Sequence, residues 1–289
     1  MKVTAEADPV PKIQMSPVGR LEKIVLATDG SEFAESAERL ALDLCDRAGA
    51  SLHIVRAVMA GAWGFFTPGG AGSLGDEAAA HLEKLSAEAG SRGIPCTTAM
   101  PRDGDPADGI VKEAKRFQAD LIIKGRRGSW EPTRLIVGDS TARVIGNGPC
   151  PVLVVPRAGH LWSEIVIATD GSRSSDAATV MAATMSKHTG TPVVVLSVKV
   201  PTHSERRQGE AEAIVDRAVA YLGQENVTAV GVVEEGLVDD VVIAASHEGD
   251  SLILLGTFGR TGIGPLLGSK TERVLKKAKG AVLVVGAGG

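Results

Sequence analysis

The chain is poor in aromatic side chains, which make up 3% of its 289 residues, so any core must be built from Val, Ile, Leu and Ala. It also lacks an excess of positive charge. A formal net charge of -4 and a pI near 5.9 argue against a dedicated nucleic-acid binder, whose affinity comes from many phosphate-neutralising Lys and Arg. No apolar run approaches the roughly 18 residues of a membrane span, and residues 1–19 lack the apolar centre of a signal peptide. They read as a mobile tail ahead of a cytoplasmic protein with no membrane partner. The three cysteines, Cys45, Cys96 and Cys150, have no CxxC spacing and read as reduced, buried small hydrophobes. The six histidines show neither HxH nor HxxxH spacing, which gives no basis for a metal site. No Ser-His-Asp arrangement stands out, and there is no GxSxG elbow.

What is plentiful is glycine, at 35 residues, much of it where an apolar run hands over to a helical pattern. With 44% hydrophobic and 23% charged residues the chain is ordinary for a globular protein, and its length suits two domains. An internal repeat makes the second point concrete. KIVLATDGS at 23–31 matches EIVIATDGS at 164–172, which sets Asp29 against Asp170 at an offset of 141. GRRG at 125–128 pairs with GTFG at 256–259 at an offset of 131, and PVLVV at 151–155 with AVLVV at 281–285 at 130. The falling offset assigns extra residues to the first half, and the Gly-rich stretch 60–75, with Trp63, Phe65 and Phe66, is read as an inserted loop. Its aromatics could cover a ligand or pack on their own domain.

Each half alternates short apolar runs with helical spacing. In the first, KIVLAT, SLHIVRAV, CTTAM, DLIIKG and PVLVVP are separated by helical stretches at 34–48, 77–91 and 106–117. The second repeats this with IVIAT, PVVVLSV, TAVGVV, SLILLG and AVLVVG. The pattern predicts two tandem α/β domains, each a doubly wound, five-stranded, mostly parallel sheet with helices on both faces. Turn residues at 156–160 place the boundary near 159, giving domains at 20–158 and 159–289.

In an open α/β sheet ligands collect at the carboxyl ends of the strands. Two features of each half fall there: the TDGS turn after the first strand and the glycine-rich turn after the fourth, where backbone N–H groups and a helix N-terminus make an anion site. Each has a plainer reading too. A glycine after a buried strand can serve only the turn, and TDGS can be a helix start capped by Asp or Ser.

GRRGSWEPTRLIVGDST and GTFGRTGIGPLLGSKT resemble the G-x2-G-x9-G-[ST] signature of ATP-binding universal stress proteins, a likeness that extends over 23–286. The resemblance implies an adenine nucleotide alpha hydrolase-like fold and an adenine nucleotide, ATP or else AMP or ADP, with magnesium as an accompanying ion. In the second half it implies contacts at Ala168, Asp170, Val198, Leu255, Gly256, Gly259, Gly268, Ser269, Lys270 and Thr271. In the first they fall on Ala27, Asp29, Ala57, Lys124, Gly125, Gly128, Gly138, Asp139, Ser140 and Thr141. It also implies that the closing VLVV strands at 152–155 and 282–285 could pair within one chain as a pseudo-dimer, with a homodimer as a further option.

Both copies depart from the signature. The first keeps the nine-residue spacing but has Asp139 where a hydroxyl belongs. A carboxylate repels a phosphate, by about 4 kcal/mol for unit charges about 4 Å apart at an effective dielectric of about 20. Lys124, Arg126 and Arg127, or a bridging magnesium, could offset this, and Ser140 or Thr141 could supply the hydroxyl. The second copy keeps Ser269, followed by Lys270, but has eight residues between Gly259 and Gly268. It is expected to be the better nucleotide site. The resulting expectation is a nucleotide-binding stress-response or signalling protein with an unidentified protein partner. A scaffold or small-ligand binder with degenerate sites is the alternative, and a slow ATPase ranks third, since only Asp29 and Asp170 offer a base.

Overall fold

The computed structural model describes residues 19–57, 70–102, 104–126, 139–202, 204–247, 249–257 and 267–286. In the first half the strands are β1 (Lys23–Ala27), β2 (Ser51–Val55), β3 (Cys96–Ala99), β4 (Leu121–Gly125) and β5 (Val152–Val155). The helices between them are α1 (Glu35–Ala48), α2 (Gly70–Ser91), α3 (Pro106–Phe117) and α4 (Asp139–Asn147). The second half has β6 (Glu164–Ala168), α5 (Arg173–Thr189), β7 (Val193–Lys199), α6 (Glu205–Gly209), α7 (Ala211–Gln224) and β8 (Ala229–Glu235). It closes with α8 (Val238–Ala245), β9 (Ser251–Gly256), α9 (Ser269–Lys277) and β10 (Val282–Val285).

Why these stretches take these forms follows from local chemistry. The interior strands are apolar on both faces: in β1, Ile24 and Leu26 face one helical layer while Val25 and Ala27 face the other. α3 starts on Asp105, whose Oδ1 accepts the Ala107 amide at 2.8 Å, with Pro106 at the first helical position. α1 and α5 stop at Gly49 and Gly190, both left-handed. One reading from the sequence is corrected. The stretch 60–75 is not a loop throughout, because α2 already begins at Gly70, while 60–69, with Trp63, Phe65 and Phe66, lies outside the described residues. The buried stripe Ala78, Leu82, Leu85, Ala89 gives α2 a seat on the core, and tertiary packing then overrides the weak helix propensity of the glycines before it.

All ten strands form one sheet in the order β3-β2-β1-β4-β5-β10-β9-β6-β7-β8. Each half contributes a parallel 3-2-1-4-5 arrangement, and the halves meet where β10 runs antiparallel to β5, with Leu283 opposite Leu153. Two edges that would expose unpaired backbone groups thereby satisfy each other. On one face α1, α2, α5 and α7 cover a core that is continuous across the seam, including Leu40, Leu85, Met181 and Leu222. On the other face α3, α4, α8 and α9 cover Val25, Ile122, Val166 and Ile253. The strand order reverses between β1 and β4, and again between β6 and β9, so each half has its own crevice at the strands' carboxyl ends. Among the described residues no helix is long and apolar enough to cross a membrane.

Candidate functional site

The carboxyl ends bring most of the expected residues together in both halves. Ala27 is in register with Lys124 and Val55, and Ala168 with Leu255 and Leu196. The TDGS turns follow directly. Asp29 Oδ1 accepts the Ser31 amide at 3.0 Å and the Ser31 hydroxyl at 2.6 Å, and Asp170 Oδ1 accepts the Ser172 amide at 3.1 Å. Each aspartate therefore builds an Asx turn, not a helix cap. The cap of α5 is Ser172, whose hydroxyl oxygen accepts from the Ser175 amide, while α1 starts at Ala34 with no side-chain cap. Gly30 and Gly171 both sit at φ 72°, a backbone state that a Cβ disfavours, which explains the glycine in each turn.

The glycines ending the fourth strands have a different reason. A Cβ on Gly125 would lie 2.4 Å from the Phe33 carbonyl oxygen, and one on Gly256 2.4 Å from Ser174 Oγ. The first turns of α1 and α5 are seated against these backbones, so the plainer steric reading accounts for both positions.

Beyond them lie the glycine loops, and Gly128, Gly138 and Gly259 are outside the described residues. In the second half the description resumes at the helix. Gly268 is the N-cap of α9, with no side-chain hydrogen bond covering the first-turn amides, and its own amide donates to the Thr257 carbonyl at 3.0 Å. Ser269 and Lys270 are exposed. Thr271 is buried and donates its hydroxyl proton to the Gly256 carbonyl at 2.9 Å, so it ties α9 to β9. Its hydroxyl proton is thereby committed to a structural bond. Val198 stands in β7, in register with Glu234 of β8. A helix N-terminus whose N-cap glycine offers no side-chain bond, with an exposed lysine in its first turn, makes an arrangement that attracts an anion.

The first half differs in charge. Lys124 is buried at the end of β4, with Nζ 3.5 Å from Ser140 Oγ at the start of α4. Thr141 is buried, and the side chain of Asp139 lies outside the described residues although its backbone opens α4. Arg56, the residue before Ala57, lays its guanidinium against Gly30, so that a Cβ there would be 2.7 Å from Nη1. The matching residue in the second half is Ser197. Arg56 escaped the sequence reading, although a cation closing the apolar run of β2 was a signal of the same kind as Lys124 closing β4.

Arg126 corrects an expectation outright. Read from sequence as a cation offsetting Asp139, it turns away from α4 and reaches into the other half. Its Nη1 donates to the Leu275 carbonyl at 2.9 Å and the Ala278 carbonyl at 2.7 Å, capping the C-terminus of α9. The orphan carbonyls and negative end of a helix are a natural seat for a guanidinium, and burial there pulls its pKa below the ordinary arginine value. Arg127 lies outside the described residues.

Around the first turn runs a polar chain also missed in the sequence. The Gly30 amide donates to Thr28 Oγ1 at 3.0 Å, Thr28 donates to Glu38, and Glu38 meets His81 Nε2 at 3.3 Å. In the second half Thr169 donates to Ser175 instead, at 3.1 Å. Nothing in the local sequence links α2 to this turn, because the contact closes over more than forty residues. Among the described residues no group of three or more His, Cys, Asp or Glu is placed to hold a metal.

A model of the universal stress protein family matches residues 20–156 and again 162–286. A universal stress protein of Methanocaldococcus jannaschii is 31% identical over 145 residues, spanning 47% of this chain and 82% of that relative. One from Thermus aquaticus is 34% identical over 138 residues, spanning 46% of this chain and 96% of the relative. The crystal structure of a universal stress protein from Archaeoglobus fulgidus superposes with a TM-score of 0.74 at 20% identity, covering 93% of this chain and 97% of that one. That likeness extends across both halves and concerns the fold.

Proposed function

The chain belongs to the universal stress protein family, matched once in each half, and on that premise we propose that it binds an adenine nucleotide, ATP, in a cytoplasmic stress-response or signalling role. The site is in the second half, at the carboxyl ends of β6 and β9. The observation that carries this reading is the N-terminus of α9, where Gly268 leaves the first-turn amides without a side-chain cap beside the exposed Lys270. The phosphates would meet those amides and Ser269. The Asp170 turn, Ala168 and Val198 would flank the nucleoside, and magnesium would arrive on the phosphates.

A different reading fits the first half. Lys124 and Arg56 stand where the second half has Leu255 and Ser197, and Asp139 stands where it has Ser269, so the two crevices do not present the same chemistry. The first is a diverged site that takes another small anion or acts as a scaffold.

Mass spectrometry of nucleotide released from the purified chain tests the ligand, and ATP titration calorimetry of wild type and Gly268→Trp tests its place. Retained adenine nucleotide, with binding lost in Gly268→Trp, is the expected result. No nucleotide and no heat at millimolar ATP would refute it, and binding lost only in Gly138→Trp would assign it to the first half.

A further inference from the structure

The closing strands of the two halves pair with each other, so β3 and β8 stand at the two ends of the sheet, and among the described residues neither has a strand on its outer side. The two ends differ. β3 has four residues, and its Thr97 Oγ1 lies 2.7 Å from His53 Nδ1. β8 has seven residues and is in register with β7 along its whole length. The large apolar side chains left exposed among the described residues are Val230, at 56%, and Leu237, at 61%, one on β8 and the other just beyond it. The repeat explains the exposure of Val230. It stands beside Val194 where the first half has Thr97 beside His53, and there α3 runs on to Phe117, whose ring stacks on His53 at 5.0 Å. α8 has eight residues against twelve in α3, and it ends at Ala245, short of the turn that carries Phe117. On the other face of β8, Gly231 makes room for Val215 and Val219 of α7, since a Cβ there would lie 2.4 Å from one and 3.3 Å from the other. The backbone of the strand also has a direction. The Val193 amide donates to the Thr228 carbonyl and the Gly236 amide to the Lys199 carbonyl, so even-numbered residues of β8 serve β7 and odd-numbered ones turn their N–H and C=O outward.

We propose that the outer edge of β8 is the docking surface for a second copy of this chain, joined antiparallel about a two-fold axis at Gly231. The join repeats between chains the edge-to-edge pairing by which β5 and β10 unite the halves within one. In this register the outward backbones of 229, 231 and 233 meet those of 233, 231 and 229 in the other copy, and each pair exchanges both hydrogen bonds. The side chains match as well. Val230 lies opposite Val232 and Ala229 opposite Val233, and symmetry makes each pair twice. Glu234 falls opposite Thr228 and Glu235 opposite Val227, so no two carboxylates face each other across the join. An axis at Val232 would instead set Glu234 against Val230 and Glu235 against Ala229, losing both apolar pairs. The size of the contact sets its strength. Seven residues at about 3.3 Å extend about 23 Å, and a sheet with one helical layer is roughly 20 Å deep, so about 460 Å² of each copy is covered. A standard interface covers roughly 800 Å² per partner, so this dimer dissociates on dilution.

Sedimentation velocity of the full chain over a series of concentrations tests the join. A monomer-dimer equilibrium is expected, and a chain that stays monomeric throughout overturns the proposal. Val230→Lys changes an exposed side chain, so the fold should persist, and the loss of two apolar cross-strand pairs should weaken the dimer about tenfold. Thr228 is exposed too, and Thr228→Lys sets an ammonium opposite Glu234 of the other copy. Two such pairs should tighten the dimer about threefold at low salt and less at high salt, which a dimer formed through another surface would not show. Thr98→Lys, at an exposed position of β3, is expected to leave the equilibrium unchanged. A dimer lost in Thr98→Lys and kept in Val230→Lys belongs to the opposite edge and overturns the proposal. So does a dimer that neither Val230→Lys weakens nor Thr228→Lys tightens.

Discussion

Replacing Gly125 by alanine separates the two purposes that a glycine at the end of β4 could serve. The added Cβ would stand 2.4 Å from the Phe33 carbonyl oxygen, 3.0 Å from Ala34 Cα and 3.1 Å from Phe33 C. An ordinary C···O approach is about 3.3 Å, so the start of α1 must retreat by about 0.9 Å. All three obstacles are backbone, and none can rotate away. Overpacking of this kind costs about 2 to 3 kcal/mol, which for a chain of this size lowers the melting temperature by roughly 4 to 10 °C. Gly256→Ala meets the hydroxyl of Ser174 at 2.4 Å but also its Cβ at 2.9 Å and backbone carbon at 3.0 Å. Rotation of the hydroxyl relieves part of the clash, so a smaller loss of about 1 to 2 kcal/mol is expected. Gly90→Ala on α2 is the control: no atom lies within 4 Å, and a helical alanine is expected to stabilise by about 0.5 to 1 kcal/mol. Urea and thermal denaturation of the three variants measure the order. If Gly125→Ala melts like wild type, the glycine does not serve to seat α1, and close approach of a ligand would be its remaining purpose.

Asp176→Asn removes the charge that meets Arg217 between α5 and α7, where both side chains are largely buried, and should cost about 3 kcal/mol in urea denaturation. A loss below about 1 kcal/mol would mean that the pair behaves like a surface one. Burial holds the His53 imidazole below its ordinary pKa of 6.5, against the opposing pull of Glu113. The unfolded chain then takes up a proton near pH 6.5 that the folded chain refuses, so this contribution is complete above that pH and is lost as pH falls towards the folded pKa. The urea midpoint should decline from pH 7.5 to 5.5, with a flatter profile in His53→Gln; parallel profiles would contradict the assignment. Burial pushes the thiols of Cys45 and Cys150 up to about 12, with Cys96 and Asp120 respectively adding to the effect. Only Cys45 is fully buried, since Cys96 and Cys150 are partly exposed, so iodoacetamide at pH 8 should leave Cys45 unmodified until the chain unfolds, as peptide mass spectrometry would show, and rapid labelling of Cys45 in the native chain would refute its burial.

The fold was largely legible because its signals are local and occur twice. Apolar runs buried on both faces can only be interior strands, and the repeat of TDGS and VLVV at nearly constant offset requires the same alternation in each half. Legibility failed where a residue's partner is far along the chain. Lys124, Arg126 and Arg127 read as one basic run, yet two of them diverge: Lys124 stays at α4, and Arg126 crosses to carbonyls about 150 positions away. His81 gave no sign that it would meet Glu38 beside the first turn. The start of α2 at Gly70 was hidden because glycine propensity argues for a loop while the stripe from Ala78 onward decides for a helix.

Sequence alone therefore determined the duplication, the order of strands and helices, and the place of the candidate crevices at the carboxyl ends, since periodicity and turn chemistry act over a few residues. Tertiary structure alone decided that the starts of α1 and α5 sit against the backbones of Gly125 and Gly256, and that Thr271 holds α9 to β9. It also decided that a cation of the first half, Arg126, caps the C-terminus of α9 in the second. Such facts depend on which side chains meet when distant segments pack, and the physics of packing is set by three-dimensional proximity, to which spacing along the chain gives no access.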